Sequence, residues 1–147
     1  ALVLAFNAGG NYVAAWAMGR GCPIWLLLAL GASGMGLAEI GIFFGDMPES
    51  VRLSLAFVFG LSGGFISSSA LAAAPVYAPT PALIGTMGGL MVMGSNTGQL
   101  FGPPALAAAH ESSGSWDGTA WMLLSFAIAG VITALLSRPM ERRLNRS

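Results

Sequence analysis

Lysine is absent from this chain, cysteine and histidine occur once each (Cys22 and His110), and charged residues make up only 8% of 147 positions. Ordinary soluble domains carry about 25% charged residues, so a water-soluble globule of this size is excluded. One cysteine cannot form an internal disulfide, and one Cys with one His falls short of the usual zinc ligand set. Neither a metal nor a cofactor is implied. The formal net charge is zero and no basic or acidic tract is present, which removes the electrostatic footprint that a nucleic-acid partner requires. Also missing are an initiator Met and the charged, cleavable start of a signal peptide. The sequence opens in apolar residues at Ala1 and is expected to be a fragment.

What is there is hydrophobic: 55% of the residues, with 21 glycines set inside apolar stretches. Glycine is commoner in membrane helices than in soluble ones. A bilayer core needs about 20 apolar residues per helix, and the sparse charges and prolines divide the chain into five such stretches. They cover approximately 1–19, 24–44, 53–78, 82–109 and 120–137. The turn Arg20-Gly21-Cys22-Pro23 separates the first two, the polar loop 45–52 the next, and Pro75, Pro79 and Pro81 mark the connection between the third and fourth. The fold class read from this pattern is an all-α polytopic transmembrane bundle over 1–138, followed by a basic tail, 139–147.

Alternating the loops puts Arg20, Arg138, Arg142, Arg143 and Arg146 on one side, against Arg52 among Asp46, Glu49, Glu111 and Asp117 on the other. Cytoplasmic loops are enriched in Lys and Arg, so the tail is expected in the cytoplasm and the protein in the cell (inner) membrane, with the lipid bilayer as its first partner. Trp16, Trp25 and Tyr77 fall near the inner boundary, and Trp116 and Trp121 near the outer one, as amphipathic rings prefer. The short loops leave no room for a soluble catalytic domain.

Chemistry must then lie within the spans. In the fourth, Gly85, Gly89, Gly94, Gly98 and Gly102 fall largely at fourfold spacing, the small-xxx-small pattern of a contact helix. Ser95, Asn96 and Gln99 lie on a neighbouring face, about 110° round at 100° per residue. They read as a solute-lining face or as interhelical hydrogen-bonding groups. Pro103 and Pro104 free carbonyls one turn earlier and are expected to kink or break the helix. Glu39 is the only ionisable residue well inside a span, about 10 Å from Asp46 at 1.5 Å per residue. It is a candidate to bind a cation, carry a proton or pair with another group; the bland reading is a carboxyl hydrated from the outer mouth. Asn7 and Asn11, one turn apart, either face the same pathway as the fourth span or hydrogen-bond between helices.

The stretch from Pro79-Thr80-Pro81 through Gly94-Ser95-Asn96-Thr97-Gly98-Gln99 to Gly102-Pro103-Pro104 resembles the eleventh helix of major facilitator superfamily transporters. Gly89, Gly98, Gly102 and Pro103 follow much of the spacing of that family's glycine-proline motif, with Leu106 and Ala107 in place of its closing glycine pair. Gly19-Arg20-Gly21 is similar to a reduced form of the basic loop between helices eight and nine, without its acidic partner. The resemblance implies helices eight to twelve, most of one six-helix half, working by alternating access. It implies as partners an N-terminal half of the same polypeptide, a small-molecule solute, and a proton or other coupling ion. On it, Ser95, Asn96, Gln99, Glu39, Asn7 and Asn11 are candidates for the substrate pathway. Gly89, Gly94, Gly98, Gly102, Pro103, Pro104 and Arg20 are candidates for helix packing or gating.

A rival reading is enzymatic. Gly60-Leu61-Ser62-Gly63 and Gly31-Ala32-Ser33-Gly34 both match the GxSG pattern of rhomboid intramembrane proteases. A serine nucleophile needs a base within hydrogen-bond reach. Ser62 is expected about 14 Å inside the third span at 1.5 Å per residue, with His110 at the outer end of the fourth, so the chain is not expected to be an enzyme. A noncatalytic membrane scaffold is the third reading.

Overall fold

The computed structural model describes residues 2–43, 47–114 and 116–144. Ala1, Asp46 and Arg146, used above as boundary and charge markers, lie outside the described residues, as do the side chains of Trp116, Asp117 and Arg142. Five α-helices form in chain order: α1 (Leu2–Gly19), α2 (Ile24–Phe43), α3 (Glu49–Tyr77), α4 (Ile84–Ser113) and α5 (Trp116–Leu144). The described residues contain no strand.

Glycine and proline set the helix ends. Gly21 takes φ +87° after α1, a conformation that other residues adopt only with strain. There the Gly21 and Cys22 amides donate to the Met18 and Ala17 carbonyls at 2.9 and 3.0 Å. Pro23 and Pro48 stand at the entries to α2 and α3, and their carbonyls accept the first helical bonds. Proline suits this position because an amide hydrogen there has no helical partner to lose. Gly114, at φ +65°, closes α4 by donating to the His110 carbonyl at 2.9 Å.

Three of the five helices are long and apolar enough to cross a membrane: Ile24–Phe43, Glu49–Tyr77 and 118–141 within α5. The other two expected spans form as helices but fall short of this measure. They are α1, which carries Asn7 and Asn11, and α4, which carries Ser95, Asn96, Gln99 and the proline pair. The polar groups that drew attention as candidates are the same ones that lower the hydropathy of their helices.

The helices also run further than the apolar stretches. α3 begins at Glu49 and includes Pro75, and α5 continues through Pro139 to Leu144, so residues 139–144 belong to a helix. Pro103 and Pro104 do not break α4, which is continuous from Ile84 to Ser113. Each proline removes one amide donor, and the turns on both sides keep their own bonds.

α3 lies at the centre. α1 runs parallel to it, since Val3 meets Gly60 and Asn7 meets Gly64. α2 packs antiparallel on another side of α3, and α5 packs antiparallel on α2, with Ala32 beside Gly130 and Gly36 beside Ala127. α4 touches both α3 and α5, more sparsely than these three seams. Closeness comes from missing side chains. A Cβ on Gly10 would strike the Leu61 carbonyl, and one on Gly31 would stand 2.7 Å from Ile66 and 2.9 Å from the Ser62 carbonyl. Phe6 and Phe57 extend the α1–α3 seam by stacking with centroids 4.5 Å apart.

Candidate functional site

No described side chain of α4 is buried, and Gly85, Gly89, Gly94, Gly98 and Gly102 have no neighbouring atom where a Cβ would stand. Among the described residues, the glycine stripe is therefore in close contact with no other helix of this chain. The glycines that bring helices together lie instead on α1, α2, α3 and α5, among them Gly10, Gly31, Gly36, Gly41, Gly60 and Gly64.

Two grooves flank α4. Between α3 and α4, a cavity of about 380 Å³ is bounded by Ile66, Ser67 and Ala70 on one side and Met91, Ser95 and Asn96 on the other. This volume is in the range of small-ligand sites. Gln99 donates from Nε2 to Ser95 Oγ at 3.3 Å, one turn along. The Asn96 amide takes part in no hydrogen bond among the described residues, and Thr97 Oγ1 donates to its own helix, at the Met93 carbonyl, 2.8 Å. Between α4 and α5 lies a cavity of about 420 Å³, where Gly98, Phe101 and Gly102 face Met122, Leu123 and Phe126. The glycine and polar faces of α4 thus open into different grooves, the first apolar and the second carrying hydroxyl and amide groups. Pro103 and Pro104 are exposed.

Asn7 and Asn11 do not join this face. They sit in the α1–α3 seam, where Asn7 Nδ2 donates to the Gly60 carbonyl at 3.1 Å. Asn11 Nδ2 donates to the Asn7 carbonyl and to Asn7 Oδ1 at 3.0 and 3.2 Å. The bond from Asn7 crosses between helices, whereas those of Asn11 stay within α1 and hold the Asn7 side chain in place. Glu39 faces α5 on the same side of α2 as Ala32 and Gly36. It is buried at 5% exposure, and its Oε2 accepts no hydrogen bond among the described residues.

Ser62 is buried in the α2–α3 seam with its Oγ against Gly34, and Ser33 is exposed. Thirteen residues separate Ser62 from Glu49, the start of α3, about 20 Å at 1.5 Å per residue. His110 lies in the last turn of α4, at the end of the bundle where α3 starts.

Sequence reasoning missed Glu141. It is 4% exposed, and its two carboxylate oxygens accept from the Ile24 and Trp25 amides at 2.9 and 3.0 Å. The α2 entry has no Ser, Thr, Asp or Asn, the side chains that ordinarily satisfy these first amides. That gap, with one acid inside the run Arg138-Pro139-Met140-Glu141-Arg142-Arg143, was the available signal. Arg20 stands with its guanidinium 3.7 Å from the Trp16 ring centroid, a cation–π contact at the end of α1.

Compared with known proteins, the chain matches no family model, no curated protein and no solved structure.

Proposed function

We propose that this membrane protein takes part in the transport of a small solute, as most of one helical half of a transporter resembling the major facilitator superfamily. On this reading α4 faces a second bundle of helices, and the solute passes between the two as they rock about a central site. The observation that carries the proposal is the state of α4. Its glycine face and its Ser95, Asn96 and Gln99 face are packed tightly by no other helix, and open only onto the loose grooves beside α5 and α3. Polar groups at membrane depth are tolerated where they meet protein or line a water-filled cavity, and Asn96 retains its full hydrogen-bonding capacity. Ser95 and Asn96 supply the hydroxyl and amide for a solute. Gly98 and Gly102 supply a surface smooth enough for another helix to slide on. A proton or another coupling ion is the source of energy in this scheme, and Glu39 is its candidate carrier.

Thiol accessibility tests the proposal without knowledge of the solute. In the complete protein in its native membrane, with Cys22 replaced by Ser, cysteines are introduced singly at Ser95, Asn96 and Gln99. They react with a membrane-impermeant thiol reagent about tenfold faster than cysteines at Leu90 and Leu100, because the reactive thiolate forms only where water reaches. Equal, slow labelling at all five positions would remove the pathway. Labelling that is instead blocked by a stably bound partner chain would favour a scaffold.

A further inference from the structure

The start of α2 and the end of α5 meet at one end of the bundle, where Glu141 joins them. Two arginines there lie over indole rings. Arg20, in the turn after α1, sits 3.7 Å from the centroid of Trp16, and Arg138, near the end of α5, sits 5.0 Å from that of Trp25. Stacking occupies the flat face of a guanidinium and leaves its N–H edge open to grip a phosphate in a bidentate manner. Among the described residues no carboxylate takes that edge. Among the described residues neither arginine is in an ion pair, and Glu141, the acid that the fold brings to this end, already has both oxygens on the α2 amides. Trp16 is half exposed and Arg20, Arg138 and Arg143 are exposed. The end of the bundle therefore presents positive charge on a rigid aromatic footing, at the ends of two helices that are long and apolar enough to cross a membrane.

We propose that this end is a binding site for the headgroup of an anionic phospholipid. The phosphate oxygens accept hydrogen bonds from the guanidinium edges of Arg20 and Arg138, Arg143 adds charge, and the two indoles lie at the level where headgroup meets acyl chain. Charge complementarity selects an anionic lipid over a zwitterionic one, and the indole platforms select a lipid over a soluble anion. The proposal requires the membrane setting and is independent of transport.

The test uses the full chain reconstituted in phosphatidylcholine vesicles, with Trp116 and Trp121 replaced by Phe so that emission comes from Trp16 and Trp25. A minority of phosphatidylglycerol carrying brominated acyl chains quenches this emission more strongly than the same fraction of brominated phosphatidylcholine. Replacing Arg20 and Arg138 by Gln lowers the preference about fivefold per arginine. Arg52→Gln, at the opposite end, leaves it unchanged. If circular dichroism shows the double variant unfolded, Arg138→Gln alone carries the comparison. Equal quenching by the two lipids, or a preference that survives both replacements, overturns the proposal. So does a preference abolished by millimolar inorganic phosphate at constant ionic strength, which makes this a soluble-anion site.

Discussion

Helices α3 and α4 are both rich in glycine, yet they use it in opposite ways. On α3, Gly60 and Gly64 lie so close to α1 that an added Cβ would meet backbone atoms of Val3, Asn7 and Asn11. On α4, the glycines meet nothing. Spacing alone does not tell these cases apart, because fourfold repetition of small residues states only that a helix can be approached. Whether it is approached depends on which other helices the chain supplies. α3 is surrounded by its own chain, whereas α4 keeps its small residues available.

The comparison is broken or sharpened most strongly at Gly64. Gly64→Val places new carbons against Gly10 and against the Asn11 amide nitrogen, which would lie 2.6 Å from the added Cβ. Because the obstacle is backbone, the loss should reach the upper part of the roughly 1–3 kcal/mol typical of overpacking, read by unfolding in mixed micelles. Glu141→Ala comes next. It leaves the Ile24 and Trp25 amides without their acceptors and should cost about 2 kcal/mol in the same assay. Glu141→Gln, which keeps one acceptor oxygen, should recover part of this. Asn7→Leu removes the bond to Gly60 and should cost about 0.6–2 kcal/mol. Gly98→Ala completes the series with no loss, and with a gain of up to about 1 kcal/mol from helix propensity. A Gly98→Ala destabilisation as large as that of Gly64→Val would erase the distinction between the two helices.

Much of the architecture was readable from the sequence. Few charges and long apolar stretches led to an all-helical chain, and Gly21, Pro23, Pro48 and Pro79 fall at or beside helix ends because their backbone constraints act locally. The apolar strength of each span was less legible, since a stretch without charges can still be diluted by amides, hydroxyls and prolines, as α1 and α4 are. The span drawn over 82–109 already passed through Pro103 and Pro104, and of the kink or break expected there the break does not occur, because the turns on either side hold the helix together. The site was harder still. The bond from Asn7 to Gly60 spans 53 positions, and no periodicity within one helix reports on it. Burial of Glu39 likewise depends on helices packed against α2, which no pattern within α2 reports.

The partnership between Glu141 and the start of α2 also has a consequence in time. The two are 117 positions apart, so at a synthesis rate of about 5–20 residues per second the first turn of α2 waits roughly 6–25 s for its acceptor. During that interval the Ile24 and Trp25 amides have no protein acceptor of this kind, although α2 is already held along its length once α3 packs on it. Arrival of the last helix supplies the acceptor, so the final turn of α5 acts as a clasp on the first turn of a helix made long before it.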